Sequence, residues 1–348
     1  MREHAFVLCE GHFDKTDGKT AHGLVRHSER YDIKGIIDSN HAGEDAGFVL
    51  EGKPNGIKFF SSLKEAVGKS GHADNLIVGV SPDGGLLPES LRKIILEAIG
   101  IKMNIVCGLH TFLSEDKEFS KAARENEVKL IDVRKPKKNL HFFSGKIGEV
   151  TSFKVAVLGT DSAIGKRTTA ISLTKELNLK GVKAVFVGTG QTAWMQGAKY
   201  SIVFDSIIND YVTGEIEHAV HSAFVNEKPD MIIIEGQGAI LHPAYSAGFE
   251  IICGAKPDAI IVQHAPKRKI LDGFTYPMPE LKKTIDILNL LSDGKVAAIA
   301  INHEYMGDEE VDKVISEYEN QFKIPAYDPL RDGNSKIIEM FLNRLIKK

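Results

Sequence analysis

The sequence has few cysteines, no long apolar segment and almost no excess charge. Its 348 residues include three cysteines, Cys9, Cys107 and Cys253, whose spacing fits neither a zinc nor a redox motif. Structural disulfides are therefore not expected, which fits a reducing compartment. No segment has the apolar length of a transmembrane helix, and the N-terminal apolar stretch is too short for a signal peptide, so we expect a cytoplasmic protein.

The charge balance also limits the classes of partner. A net charge of −3 gives no general attraction to nucleic acid or to anionic lipid, so neither a nucleic acid nor a membrane is an expected partner. We found no internal repeat and no low-complexity segment. The predicted partners are a small-molecule substrate and further copies of the chain in a homo-oligomer.

Length and hydropathy pattern indicate two domains of the α/β class. A chain of 348 residues exceeds what one hydrophobic core usually organises. Short apolar runs alternate with amphipathic segments, as in βα units around a parallel sheet. We predict two doubly wound domains, each around a mainly parallel sheet: a Rossmann-like domain at residues 1–145 and a P-loop NTPase-like domain at residues 146–348.

The individual elements follow from the same pattern. Predicted strands of the first domain cover residues 5–9, 34–38, 76–80, 103–106 and 129–131. Those of the second begin at residue 154 and cover 183–187, 231–234, 259–263 and 296–301. One helix is predicted with Pro88 and Glu89 in its first turn and an apolar face from Leu91 to Ile99, and another, near the C-terminus, at 335–346. Charged residues and turn formers collect at 134–148, where we place the boundary between the domains. We interpret the charge run at 134–139 as a solvated linker and not as a binding patch.

The main functional signal is a phosphate-binding loop of the Walker A type in the second domain. An apolar strand from residue 154 leads into a glycine-containing loop, and a helix-like segment follows. Such a loop directs backbone N–H groups and the positive end of a helix at a phosphate, while a lysine contacts the distal phosphate. The predicted cofactor-binding residues here are Gly159, Thr160, Asp161, Ser162, Ala163, Ile164, Gly165, Lys166, Arg167 and Thr168.

The loop departs from the usual motif directly after its lysine. Arg167 stands where Ser or Thr normally supplies a hydroxyl to Mg²⁺. Thr168 or Thr169 could take over that hydroxyl, or the loop could hold a diphosphate that needs no metal. Arg167 itself could face solvent or clamp a phosphate. No metal ligand is assigned from the sequence.

Two further segments follow buried strands and should face the same ligand. Glu235 ends the strand at 231–234 where a Walker B carboxylate would lie, although it could also face water. His242 could be a base, a ligand contact or only a loop residue. We predict Glu235 and His242 as the catalytic residues. The remaining predicted cofactor contacts come from the loops after two strands and are Gly190, Gln191, Thr192 and Gln237.

The first domain carries weaker signals. It lacks the Gly-x-Gly-x-x-Gly spacing of a dinucleotide site, so NAD binding is poorly supported, and Asp38 at a strand end is more simply a turn residue. Its basic residues could bind the carboxylates of a small acid. The predicted substrate-binding residues are Lys19, Arg26, His110 and Arg134. For each one taken alone, a structural role is the stronger interpretation.

Taken together, these residues resemble a family of bacterial and archaeal proteins in which a Rossmann-like domain precedes a P-loop domain. The resemblance spans nearly the whole chain. The resemblance rests on residues 19–21, 108–110, 159–166, 168–169, 190–192, 235–238 and the pair His242 and Pro243. The resemblance implies D-glutamate N-acetyltransferase activity, which is assigned to some members. The Gly-Thr-Asp start of the loop is also similar to dethiobiotin synthetase, an ATP-dependent ligase.

Three hypotheses remain open on the sequence alone. In the first, the loop holds acetyl-CoA and a base, Glu235 or His242, activates the amino group of a small acidic amino acid, D-glutamate above all. In the second, the loop binds ATP with Mg²⁺ and a phosphoryl group passes to a carboxylate. In the third, the protein binds a nucleotide as a regulator or scaffold without turnover.

Overall fold

Strands and helices alternate along the chain in the computed structural model, which describes residues 2–345. These residues fall into two units. The first contains residues 2–137 and also Gln191–Ala198, and the second contains residues 138–190 and 199–345. The domain limits inferred from the sequence, 1–145 and 146–348, stay a prediction, because contacts alone do not show which part folds independently.

The first unit is built around one parallel sheet. Its described strands occur in the spatial order β3-β2-β1-β4-β5-β6, which is the strand order of a Rossmann fold. The strands are β1 (Glu3–Leu8), β2 (Tyr31–Ile37), β3 (Phe59–Phe60), β4 (Asn75–Val78), β5 (Asn104–Cys107) and β6 (Leu130–Asp132). The helices are α1 (Lys19–Arg26), α2 (Ala46–Glu51), α3 (Leu63–Ser70), α4 (Arg92–Gly100) and α5 (Lys117–Asn126).

The second unit contains another parallel sheet, in the described order β13-β12-β11-β7-β10-β8-β9. Its strands are β7 (Phe153–Gly159), β8 (Ala184–Gly188), β9 (Tyr200–Ser201), β10 (Met231–Glu235), β11 (Ala259–His264), β12 (Val296–Ile301) and β13 (Ala326–Tyr327). Its helices are α6 (Lys166–Leu179), α8 (Asn209–Glu227), α9 (Phe249–Ala255), α10 (Leu281–Ser292), α11 (Asp308–Phe322) and α12 (Ser335–Leu345). The short helix α7 (Gln191–Gln196) lies in the segment that belongs to the first unit.

The central strands are apolar on both faces because helices cover both sides of each parallel sheet. All residues of β7, β11 and β12 are buried, and side chains of β7 contribute to two separate core clusters. The sequence prediction of the α/β class with two doubly wound sheets is confirmed. Within residues 2–345, no helix combines the length and the apolar character that crossing a bilayer requires.

Every strand predicted from the sequence is present, with ends that differ by a few residues. The sequence analysis missed β3, β9 and β13, which have two residues each and lie toward the sheet edges. The predicted helix that begins at Pro88 and Glu89 corresponds to α4, but its expected first turn is a 3-10 turn at Glu89–Leu91. The predicted C-terminal helix is α12, and its expected last residue, Ile346, lies outside the described residues.

The predicted linker is exposed along most of its length. Residues 135–139 and 141–146 are exposed, and the part after residue 140 is also bonded to α8. The buried Glu215 side chain accepts the backbone N–H of His141 at 2.7 Å, and Glu217 accepts that of Ser144 at 2.6 Å. The exposure of 135–139 agrees with the interpretation of the charge run as a solvated linker, and the buried carboxylates on α8 bind the backbone of the segment that follows it.

Candidate functional site

The phosphate-binding loop occupies the carboxyl edge of the second sheet. Residues 160–165 connect β7 to α6, and β7 lies between β11 and β10. Gly159 pairs with Gln263 of β11, and Val157 pairs with Glu235 of β10. Because the three strands are parallel, their polar ends and the N-terminus of α6 collect at one place, which is where α/β sheets bind ligands.

Glycines around the loop make room for the lysine side chain. A Cβ atom at Gly159 would lie 3.2 Å from Lys166 Cδ, and one at Gly236 would lie 3.1 Å from the same atom. Gly165 has a φ of 104°, which a residue with a side chain rarely adopts. The lysine stem therefore passes between two strand ends that only glycine can form at this spacing.

The loop is one residue longer than the usual motif. Five residues separate Gly159 from Gly165, against four in the ordinary G-x-x-x-x-G-K spacing. Two of its residues have positive φ, Gly165 and also Ala163 at 48°. A positive φ is costly for alanine, so the surroundings must hold the loop in this shape.

The side chains at the start of the loop bind protein groups. The hydroxyl of Thr160 lies 2.9 Å from Nδ1 of His264, and that of Ser162 donates to Asp272 at 2.9 Å. Asp161 is fully buried, and its carboxylate accepts the N–H of Asp272 at 3.0 Å. The side chains of these three predicted cofactor contacts therefore already have partners. The N–H groups of Thr160 and Ser162 are bonded within the protein as well, to the Gln263 carbonyl at 3.1 Å and to the Asp161 carboxylate at 2.7 Å.

Lys166 is buried, and its ammonium group donates to the backbone carbonyl of Asp161. The carbonyl belongs to the same loop that would surround a phosphate. A bound anion would compete with it for the ammonium group, because a charged acceptor forms the stronger hydrogen bond. The geometry fits an anion site whose lysine is bonded within its own loop.

The residues after the lysine determine whether a hydroxyl group is available for Mg²⁺. Thr169 is buried, and its hydroxyl donates to Oε1 of Gln263 at 2.6 Å, so it has a structural partner in β11. Arg167 and Thr168 are half-buried on the first turn of α6. The hydroxyl that the motif lacks at Arg167 is thus not replaced by Thr169 in this arrangement.

Glu235 is buried at the end of β10. Its Oε2 atom accepts the N–H of Thr189 at 2.9 Å, and its carbonyl accepts the Thr189 hydroxyl at 3.1 Å. Burial raises the pKa of Glu235, while Arg167, the Thr189 N–H and Lys166 act in the opposite direction. The alternative that Glu235 faces water is excluded by its burial.

His242 is buried in the turn that follows β10. Its Nδ1 atom accepts the backbone N–H groups of Ala244 at 3.2 Å and Tyr245 at 3.0 Å. Two donors on Nδ1 require the proton to be on Nε2, which lies 3.5 Å from Asp161 and has no hydrogen-bond partner among residues 2–345. Burial lowers the pKa of His242, against the effect of Asp161. In this geometry the ring is a neutral donor.

Gly190 and Gln237 lie together in the second unit. A Cβ atom at Gly190 would be 3.4 Å from Oε1 of Gln237, so the loops after β8 and β10 approach each other closely. The other two predicted contacts of this group, Gln191 and Thr192, begin α7 and belong to the first unit.

Within the first unit, several predicted residues meet at the carboxyl edge of the sheet. The hydroxyl of Thr192 lies 3.1 Å from that of Thr20, and a Cβ atom at Gly108 would lie 2.9 Å from Cγ of Gln191. Lys19 is the half-buried first residue of α1, and His110 is exposed after β5. The structure thus brings the segments at 19–21, 108–110 and 191–192 into one region.

The other two predicted substrate contacts have partners in the same unit. Arg26 forms an ion pair with Glu51 at 2.6 Å. Arg134 is buried, and its guanidinium donates to the carbonyl of Gly108. Asp38 accepts the N–H groups of Gly11 and Phe13, both at 3.2 Å. A ribose would have to compete with these donors, which agrees with the poor support for NAD in the sequence.

Five side chains outside the predicted set contact the loop or the first turn of α6: Gln263, His264, Arg268, Asp272 and Asn302. Asn302 donates to the carbonyl of Ile164 at 3.1 Å. Burial lowers the pKa of His264 to about 4. Gln263 and His264 end an apolar strand, as Glu235 does, and that signal could have found them. Arg268 and Asn302 lie in loops without a local signal.

The family profiles cover most of this architecture. A profile described as the P-loop domain of DUF1611, a domain of unknown function, matches residues 141–338. The companion profile, described as the Rossmann-like domain DUF1611_N, matches residues 39–136. The chain belongs to the DUF1611 family. This result confirms the family and the two-domain arrangement inferred from the sequence.

Proteins similar to this chain cover most of its length. A protein named D-glutamate N-acetyltransferase from Tritonibacter scottomollicae is 29% identical over 80% of this chain and 83% of its own. Another of the same name, from a Pseudoalteromonas species, is 30% identical over 76% of this chain and 80% of its own. A crystal structure of a DUF1611 family protein from Anabaena variabilis has 25% identity and a TM-score of 0.89 over the whole of both chains.

Proposed function

We propose that this protein transfers the acetyl group of acetyl-CoA to the amino group of a small acidic amino acid, with D-glutamate as the favoured acceptor. The observation that carries the proposal is a Walker A-type loop with arginine in the place of the magnesium hydroxyl. The names of the two relatives at 29% and 30% identity support the reaction class. Fold alone would not, since P-loop domains serve many reactions.

The loop suits a diphosphate such as the one in CoA. The backbone of residues 163–165 and the first turn of α6 would provide N–H groups. Lys166 would provide the charge of its ammonium group, which donates to the Asp161 carbonyl in this structure. Arg167 would add a second positive charge at the position where other loops recruit Mg²⁺. Two protein cations next to a diphosphate reduce the need for a metal.

Acetyl-CoA supplies a thioester, whose C–S bond breaks as the amide C–N bond forms, and the sulfur takes up a proton as the free thiol. The amino group must first lose a proton, because an ammonium ion has no lone pair. We assign this proton to Glu235, whose buried carboxylate has its pKa raised by burial. His242 suits the role less well, since the one lone pair of its Nδ1 atom already accepts two backbone N–H groups.

For the acceptor we keep the basic and polar residues of the first unit as proposed carboxylate contacts. They are Lys19, Arg26, His110 and Arg134, and a carboxylate at Arg26 would compete with the ion pair to Glu51. Replacing Lys19 with Ala should raise the KM for the amino acid more than the KM for acetyl-CoA. An equal effect on both would remove Lys19 from the acceptor site.

The test is thiol release from acetyl-CoA, measured with a panel of D- and L-amino acids. We expect release with D-glutamate, less with its L-enantiomer and little with neutral amino acids. Lys166→Met should abolish most of the activity, and Lys175→Met, which changes an exposed lysine on the same helix, should not. No release with any acidic amino acid would contradict the proposal.

The alternative is an ATP-dependent ligase or kinase similar to dethiobiotin synthetase. The observation that favours it is Glu235, which lies beside the loop as a Walker B carboxylate would. Formation of ADP from ATP with Mg²⁺ and a carboxylate substrate, without thiol release, would establish this alternative. Binding of a nucleotide without either product would support a regulatory protein.

A further inference from the structure

One arginine outside the motif joins the loop to the rest of the second unit. Arg268 follows β11, and its Nη1 atom donates to the Asp161 carboxylate and to the Ser162 carbonyl, both at 3.0 Å. Its Nε and Nη2 atoms donate to the two oxygens of Glu304 at 2.8 and 2.9 Å. The guanidinium therefore connects two consecutive loop residues to a carboxylate that follows β12.

The contacts fall just before the strained part of the loop. Ala163, with a φ of 48°, directly follows the carbonyl that Arg268 binds. The Asp161 carboxylate also accepts the backbone N–H groups of Ser162 at 2.7 Å and Asp272 at 3.0 Å. An alanine with positive φ tends to relax unless the residues before it are fixed, and here they are fixed by hydrogen bonds to the half-buried Arg268 and Asp272.

We propose that Arg268 is a positioning residue that holds the phosphate-binding loop in its anion-binding shape. The proposal rests on the loop binding a diphosphate, as in the proposed function, but it holds for either coenzyme A or a nucleotide. Arg268 acts through the positions of the backbone N–H groups at residues 163–165.

Direct contact of Arg268 with the phosphate explains the geometry less well. The contacts above use four of the five N–H donors of its guanidinium. Its positive charge lies between the carboxylates of Asp161 and Glu304, so the three groups together carry a negative charge. Because of this net negative charge, the three side chains do not attract an anion. Their contribution to the site is that they fix the shape of the loop.

The experiment measures binding of coenzyme A, inorganic pyrophosphate and ADP by calorimetry to the full-length protein. Arg268→Gln should weaken the binding of whichever of the three probes the wild type binds by about 10- to 100-fold. This is the loss expected when the groups that bind a ligand are displaced by about an ångström. Arg268→Lys should not restore it, because an ammonium group cannot bridge Asp161, Ser162 and Glu304 together. Glu304→Gln is the milder variant and should weaken binding by several-fold.

Arg331→Gln is the matched control, because Arg331 also bonds two carboxylates and one carbonyl but lies against α11. It should leave binding unchanged. A second change, Ala163→Gly, removes the cost of the positive φ. It should restore binding about fivefold in the Arg268→Gln protein and change little in the wild type.

The outcomes separate this inference from the proposed function. If the wild type binds ADP and not coenzyme A, the acetyltransferase proposal fails, and the Arg268 series is evaluated with ADP. Unchanged binding in Arg268→Gln would overturn the inference. So would full restoration by Arg268→Lys, which would show that charge alone matters. Failure of Ala163→Gly to restore any binding would show that Arg268 supports the unit in general and does not hold the loop.

Discussion

Removal of the Lys166 charge is the most direct test of the phosphate-binding loop. Two changes separate the charge from the packing of the side chain. Lys166→Met keeps an unbranched stem between Gly159 and Gly236 and removes only the ammonium group. Lys166→Ala removes both, and each buried methylene that it deletes contributes about 0.8 kcal/mol to folding. We therefore expect Lys166→Ala to lower the melting temperature more than Lys166→Met does.

The effect on binding can be bounded from the contacts. A hydrogen bond to a charged group contributes about 1.5–3 kcal/mol, which corresponds to an increase in Kd of about 10- to 150-fold. In the structure, the ammonium group already bonds the Asp161 carbonyl, and this bond must be given up when the phosphate binds. The net effect of Lys166→Met should therefore lie near the lower end, about tenfold to thirtyfold.

The assay is calorimetric titration of coenzyme A into the wild type and both variants, with Lys175→Met as the matched control on the exposed side of α6. Similar losses in Lys166→Met and Lys166→Ala would show that the charge dominates. A Lys166→Met protein that binds coenzyme A and ADP as well as the wild type does would refute the assignment of this loop as the phosphate site.

Three further expectations concern the metal, the base and the buried histidine. Binding and turnover should survive EDTA, and Arg167→Thr should raise the affinity for ATP with Mg²⁺; strict Mg²⁺ dependence of the wild type would contradict this. Glu235→Gln should lower kcat by about 10²- to 10⁴-fold with little change in coenzyme A affinity. Because burial raises the pKa of Glu235, the acid limb of the wild-type pH–rate profile should lie above that of an ordinary carboxyl group, since protonation removes the base. Burial lowers the pKa of His264 from 6.5 to about 4. Between these two pH values the histidine is protonated in the unfolded chain and neutral in the folded protein. The free energy of unfolding should fall there by up to about 1.4 kcal/mol per pH unit as the pH decreases, and urea titrations of His264→Gln should show a smaller fall.

The fold could be predicted because its central strands are long apolar runs bounded by turn residues. The strand at 296–301 is observed with the predicted limits, and all of its residues are buried. The strands that escaped prediction have two residues each, such as Ala326–Tyr327, which is too short to show any periodicity. Their place in the sheet is set by pairing with a neighbouring strand, as Ala326–Tyr327 pairs with β12. The local sequence does not encode that pairing.

The candidate site was predictable where one strand and its loop carry the chemistry. The loop after β7 and the acid after β10 both have a local pattern, an apolar run followed by glycine and polar residues. Gln263 and His264 also follow an apolar run, but no glycine comes after them. They lie beside the phosphate-binding loop only because β11 pairs with β7. The order of strands in a parallel sheet is a long-range property, so the sequence did not indicate which strand ends meet.

The first residues of the loop show why a motif predicts the path of the backbone better than the role of a side chain. Asp161 was included among the cofactor contacts because it lies in the loop, yet its carboxylate is fully buried against Arg268 and the N–H of Asp272. The hydroxyls of Thr160 and Ser162 are likewise used within the protein. Side chains that hold a loop must point away from its ligand, because the backbone N–H groups that bind phosphate need the inner side free. Substitutions at 160–162 should therefore change affinity through the shape of the loop, whereas substitutions at Lys166 should change it through charge.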